Sequence, residues 1–119
     1  MSLYIVRQNK VITMNRGDSC EFKFKFNTGK FPNEEPLIIN EGDVIFFGLM
    51  DPNVHFEHAL VKKEFNITNF DEEGYLVINF EPDDTLELME GTYFYQIKLL
   101  TKDANIKTLV PKTKFIIVD

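Results

Sequence analysis

Apolar and polar side chains alternate with a period of two along most of this chain. The clearest run sets Cys20, Phe22, Phe24 and Phe26 against Glu21, Lys23, Lys25 and Asn27, the pattern of an antiparallel strand with one face on a core and one in water. In Val44 to Met50, Ile45, Phe47 and Leu49 fall on one side and Val44, Phe46, Gly48 and Met50 on the other. Both sides are apolar, so this strand is expected to be covered on both. Leu76, Ile78 and Phe80 mark the inner face of a strand from Tyr75 to Glu81. Tyr93, Tyr95, Ile97 and Leu99 mark one side of a long strand opening at Thr92. Weaker alternation predicts strands over Lys10 to Asn15, His58 to Asn66 and Ile106 to Val118. In the last of these Pro111 has no N–H to give to a ladder and signals a bulge or an edge. In chain order these are strands A to G.

Turn residues separate them: Arg16-Gly17-Asp18, Glu41-Gly42-Asp43, Asp51-Pro52-Asn53, Asp71 to Gly74 and Asp103-Ala104-Asn105. Asn27 to Asn40, with Gly29, Pro32 and Pro36, reads as a long loop holding a short extended piece at Leu37 to Ile39. The period changes only in Pro82 to Gly91. There Asp84 is placed as the N-cap of a helical turn, Leu86 and Met89 share a face at i,i+3, and Gly91 ends the turn in the left-handed conformation. A helical turn leading through Gly91-x-Tyr93-x-Tyr95 resembles the E–F corner of an immunoglobulin-like sandwich, where a tyrosine hydroxyl bonds back to the corner backbone. Tyr93 would be that tyrosine. The expected fold is therefore all-β: an immunoglobulin-like antiparallel β-sandwich of about seven strands, with one short helical turn between strands E and F. Strands A, B, E and D would form one sheet and C, F and G the other, in a single domain spanning residues 1–119.

Composition supports a self-sufficient core. Twelve Phe and four Tyr in 119 residues matter because each buried Phe stabilises the fold by roughly 1.5–3 kcal/mol. A net charge of −6 (13 basic minus 19 acidic residues) argues against nucleic acid as a partner. No apolar run reaches membrane-spanning length, no charged-then-apolar leader opens the chain, and a single cysteine precludes an internal disulfide. The expectation is a soluble domain with no membrane partner.

Candidate chemistry is sparse. His55, Glu57 and His58 form the one His/carboxylate cluster, but on a strand the two histidines would point to opposite faces. Glu81, Asp83, Asp84, Glu87 and Glu90 lack the alternating ligand loop of a calcium site. Arg16-Gly17-Asp18 spells an adhesion tripeptide but does the work of a turn. Cys20 shares the phase of three phenylalanines and reads as a small buried hydrophobe. Asn66-Ile67-Thr68 fits the N-glycosylation pattern. No nucleophile elbow or phosphate cradle is present, so no catalytic residue, metal or cofactor is expected.

An ordered set of motifs carries a family resemblance. Gly17-Asp18 precedes an aromatic alternating strand, and Gly42-Asp43-Val44-Ile45-Phe46-Phe47 precedes Asp51-Pro52. Asp84-Thr85-x-x-Leu88-x-x-Gly91-x-Tyr93-x-Tyr95-x-Ile97-x-Leu99 follows, and Lys114-Phe115-Ile116-Ile117-Val118 closes the set. From about Lys10 to Val118 the chain resembles the immunoglobulin-like domain of phage and prophage structural proteins, nearest the N-terminal domain of upper baseplate proteins in phages of Gram-positive bacteria. It departs from that pattern at Lys112-Thr113, where the family carries a glycine, and at Gln96, where it often carries an acid. The resemblance implies a non-enzymatic protein of the virion, or of the bacterial host cytoplasm before assembly. Its partners would be other phage structural proteins or further copies of itself. The alternative is a bacterial immunoglobulin-like binding module for carbohydrate or a surface protein.

The partner face follows from the strand phases. Val44, Phe46, Phe94, Leu100, Ile116 and Val118 would all point outward from the C–F–G sheet, more clustered apolar surface than a monomer normally exposes. Either a partner docks there, or Tyr4-Ile5-Val6 or the Phe31–Ile39 loop folds over it.

Overall fold

The computed structural model describes residues 11–28 and 35–119. Tyr4-Ile5-Val6 and the first four residues of the Phe31–Ile39 loop therefore lie outside the described residues, and that loop is seen from Glu35 onward. The strands are β1 (Ile12–Asn15), β2 (Cys20–Phe24), β3 (Asn27–Thr28), β4 (Glu35–Pro36), β5 (Val44–Met50), β6 (Val61–Phe65), β7 (Leu76–Phe80), β8 (Gly91–Leu100) and β9 (Ile106–Val118). A single helical turn, α1 (Pro82–Thr85), joins β7 to β8.

The all-β class holds, but the four-plus-three division of strands does not. β1-β9-β8-β5-β6 form one curled sheet, β2 and β7 form a two-stranded ribbon across it, and β3 and β4 make a two-residue pair of their own. The predicted strands A and D thus join the large sheet, and β1 pairs parallel, not antiparallel, with β9. Local bonds explain both changes. Arg16 N donates to Val118 O at 2.8 Å, and its guanidinium clasps both Asp119 carboxylate oxygens at 2.9 Å, which holds the end of β1 beside the end of β9. On the other side residues 51–60 fold back on β5, and Leu60 N donates to Leu49 O at 2.7 Å. That bond delivers Val61 onto the β5 edge. It also shortens the predicted His58–Asn66 strand, because His58 closes a 3₁₀ turn, Phe56–His58.

β5 runs from Val44 to Met50 as its alternation predicts, and pairs with both β6 and β8. In β9 the expected bulge falls at Pro111. Tyr95 pairs with Thr113 and Ile97 with Val110, so Pro111 and Lys112 together oppose Gln96. A second irregularity, between Ile97 and Lys98, leaves Leu109 as an extra residue and lets consecutive Leu109 and Val110 both be fully buried.

Phe rings lock ribbon to sheet. Phe80 on β7 meets Phe22 at 5.6 Å, Phe47 at 5.5 Å and Phe115 at 5.5 Å between centroids. Tyr95 meets Phe24 at 6.0 Å and Phe115 at 6.1 Å. Contacts of this kind add about 0.5–1.5 kcal/mol each beyond the area they bury. Phe24 and Phe26 are buried, while Cys20 and Phe22 are half-buried against the same core.

The corner after β7 is built differently from the spacing-based expectation. Glu81, not Asp84, caps α1, with Pro82 at the first helical position, where a missing N–H costs nothing. Asp84 instead accepts from Glu81 N at 2.8 Å and from Lys63 Nζ at 2.8 Å. Gly91 has φ 150°, not the left-handed helical value, and opens β8. Thr85 is fully buried and accepts from Gly17 N at 2.8 Å, which pins the corner to the β1–β2 turn.

Candidate interaction surface

Strand register fixes what lies on the outer face of the large sheet. Val44 stands opposite Leu100, Phe46 opposite Lys98 and Met50 opposite Phe94. Phe94 in turn pairs with Lys114, Thr92 with Ile116, and Leu100 with Ile106. Asn15 of β1 pairs with Val118. The six residues singled out in the sequence, Val44, Phe46, Phe94, Leu100, Ile116 and Val118, thus share one face; five are half-buried and Val118 is exposed. Val11 and Ile106 are also exposed.

The middle of this face is covered by a segment whose role the alternation did not reveal. Residues 51–60 fold over β5. A side-chain carbon placed on Gly48 would come within 2.8 Å of the Phe56 ring and 3.2 Å of the Ala59 methyl. Met50 is fully buried beside this segment. Lys62 Nζ donates to Glu57 O at 2.7 Å, Lys112 Nζ donates to Val54 O at 2.8 Å, and Lys98 Nζ lies 4.9 Å from the Phe56 ring centre. The one sequence signal for this cover was Gly48, the only non-apolar interruption in an otherwise apolar strand. Two apolar areas remain on either side: Val44, Phe46, Leu100 and Ile106 toward one end of the sheet, and Phe94, Ile116 and Val118 toward the other.

The remaining sequence candidates are largely taken up by the fold. His55 and His58 are exposed around a 3₁₀ turn, not on a strand. The turn backbone and the neighbouring histidines hold the Glu57 carboxyl below its ordinary range. Among the described residues, no three His, Cys, Asp or Glu side chains gather as a metal ligand set. In Arg16-Gly17-Asp18 the arginine is held by Asp119 and the glycine, at φ 79°, bonds Thr85. Asn66 Oδ1 accepts from Thr68 N at 2.9 Å and Thr68 Oγ1 at 2.6 Å, capping the 3₁₀ turn Ile67–Asn69. Burial, and secondarily Asp18, pushes the Cys20 thiol up, so it is a poorer nucleophile than a free cysteine.

A cleft of about 220 Å³ opens between the Leu37–Asp43 segment and the β8–β9 turn, lined by Leu37, Ile38 and Leu99 with Lys102 and Lys107. Its Asp43 is buried, and both carboxylate oxygens are engaged, by Lys102 N at 3.0 Å and Asn40 N at 2.9 Å. That carboxylate is a structural tie between the cleft walls, and among the described residues no aromatic ring lines the cleft.

Among known proteins, no family model and no curated sequence matches the chain. Among the described residues, no helix is long and apolar enough to cross a membrane.

Proposed function

We propose that this chain is a non-enzymatic structural protein of the phage or prophage baseplate type, with an immunoglobulin-like sandwich that works through protein–protein contacts. Its site of action is the outer face of the large sheet. One observation carries the reading: Phe46 and Phe94, with four aliphatic neighbours, stand on the side of the sheet turned away from the core. Both rings are only half-buried, so apolar surface stays open on either side of the 51–60 cover, and such patches serve as docking surfaces. The tyrosine-anchored corner and the two facing β-layers support the immunoglobulin-like assignment. The carbohydrate alternative draws no support from the cleft, where none of the described lining residues offers a ring for a sugar to stack on.

Light scattering on the wild type and on a Phe46→Glu/Phe94→Lys double variant tests the proposal. A wild-type oligomer that the double variant converts to a folded monomer supports it. A wild type monomeric at high concentration, with a double variant that unfolds, overturns it, because the face would then be covered by the protein's own chain.

A further inference from the structure

A different surface, the free edge of β7, carries an inference of its own. β7 pairs with β2 on one side only. On the other side a third strand of the ribbon starts and stops. Phe70 bridges to Leu76, and Asp71 N donates to Tyr75 O at 2.9 Å, after which the 3₁₀ turn Ile67–Asn69 leads the chain elsewhere. Tyr75 N completes that end by donating to Asp71 Oδ1 at 2.9 Å. At the far end Glu81 N donates to Asp84 Oδ2 at 2.8 Å. Backbone groups alternate sides along a strand, so Val77 and Asn79 point their N–H and C=O the same way as Tyr75 and Glu81. The bridge of Phe70 to Leu76, made with Asp71 N on Tyr75 O, also turns the Val77 N–H toward the Asn69 carbonyl, so among the described residues the groups left on this edge are the Val77 C=O and the Asn79 N–H and C=O.

Open edges usually carry a charge or a proline that repels pairing. The edge strand β6 has such a device: Lys63 points inward, 5.1 Å from the Phe80 ring centre and paired with Asp84. β2 carries Glu21 and Lys23, and β1 is four residues long. β7, reading Leu76-Val77-Ile78-Asn79-Phe80, carries neither charge nor proline. Acids bracket it instead, with Glu72 and Glu73 at the start and Glu81 and Asp83 at the end, all exposed.

We propose that the Val77–Asn79 edge accepts an extended segment of a partner protein, with uncharged central residues alternating apolar and polar and lysines or arginines on both flanks. The segment continues the ribbon's third strand and satisfies the open Val77 C=O and Asn79 N–H and C=O, which is β-strand addition. Its inward apolar side chain rests near Phe70, a half-buried residue beside Leu76 at the margin of the core. A second copy of this chain is the poorer occupant. Antiparallel pairing of β7 with its own copy would set the acidic bracket of one molecule against that of the other.

The test uses a nine-residue peptide of alternating threonine and valine with two lysines at each end. Controls carry glutamates at the ends, or proline at the central position. Fluorescence anisotropy reads affinity, and amide hydrogen exchange reads location. The lysine-flanked peptide is expected to bind at least tenfold more tightly than either control and to protect the Asn79 amide. Glu73→Lys/Asp83→Lys is expected to remove the preference without unfolding the protein. Equal binding of the glutamate-flanked peptide, no binding at millimolar concentration, or protection confined to other strands overturns the proposal. Protection of Asn79 through self-association without peptide overturns it in favour of a second copy. None of these results depends on the outer face of the large sheet, so that reading stands or falls separately.

Discussion

The Tyr93 hydroxyl donates to the Met89 carbonyl oxygen at 2.6 Å, closing the corner between α1 and β8. The ring of Tyr93 is buried, and that burial, with a smaller push from Asp51, raises the phenol above its ordinary range. The bond therefore forms from the neutral hydroxyl across the working pH range. Tyr93→Phe keeps the ring and removes only the donor. The expected cost is about 0.5–1.5 kcal/mol in urea unfolding, and unchanged stability would show that the corner is held by packing alone.

How much of this was legible in the sequence depended on whether the signal was local. β5 and β9 were readable to the residue, because a period of two and a proline both act on their own strand. The Tyr93 bond was readable because four residues separate donor and acceptor. Sheet membership was not. What assigns β1 to β9 is Arg16 reaching Asp119, 103 positions away, and what assigns β6 to β5 is the folding back of residues 51–60. The cap on α1 was misplaced because Asp84 suits an N-cap as well as the third position, and only Pro82 decides between them. On the candidate surface the six outward residues could be phased from alternation, whereas their partial cover by Phe56 required knowing which loop returns. The open edge of β7 was invisible in the sequence, since it exists only because the Phe70–Asp71 stub ends.

Phe80 sits where ribbon and sheet meet, in ring contact with Phe22, Phe47 and Phe115 and 1% exposed. Phe80→Ala removes three ring contacts from one point and leaves a cavity between two layers. A loss of about 3–5 kcal/mol is expected. Phe24→Ala, also at a buried ring, belongs in the same range. A loss below about 1 kcal/mol for either variant would mean that the layers can collapse onto the gap.

Gly48 makes room for Phe56, so the pair should behave as one unit. A methyl at position 48 would press on the Phe56 ring at 2.8 and 3.0 Å. Phe56 sits on a surface segment that can yield, so Gly48→Ala is expected to cost about 1–3 kcal/mol, as overpacking does, and to loosen residues 51–60 in hydrogen exchange. In a Phe56→Ala background the same substitution should cost much less. Additive losses in the double-mutant cycle would mean that the two positions do not interact.

Tyr95 predicts how the fold responds to alkali. It is fully buried among Phe24, Phe47 and Phe115, and burial pushes its phenol up to about 12 from 10.0. Between those values the unfolded chain gives up the proton and the folded chain keeps it. The unfolded state then binds fewer protons, so stability falls as pH rises. The contribution is fully present below about pH 10 and is lost as pH climbs through the folded value, with a limiting slope of about 1.4 kcal/mol per pH unit for one such group. Lysines titrate in the same window, so the comparison that isolates Tyr95 is with Tyr95→Phe, each protein normalised to its own stability at pH 8. The variant is expected to lose stability more shallowly between pH 10 and 12 in urea titrations. Parallel curves for the two proteins would mean that the Tyr95 hydroxyl reaches water in the folded state.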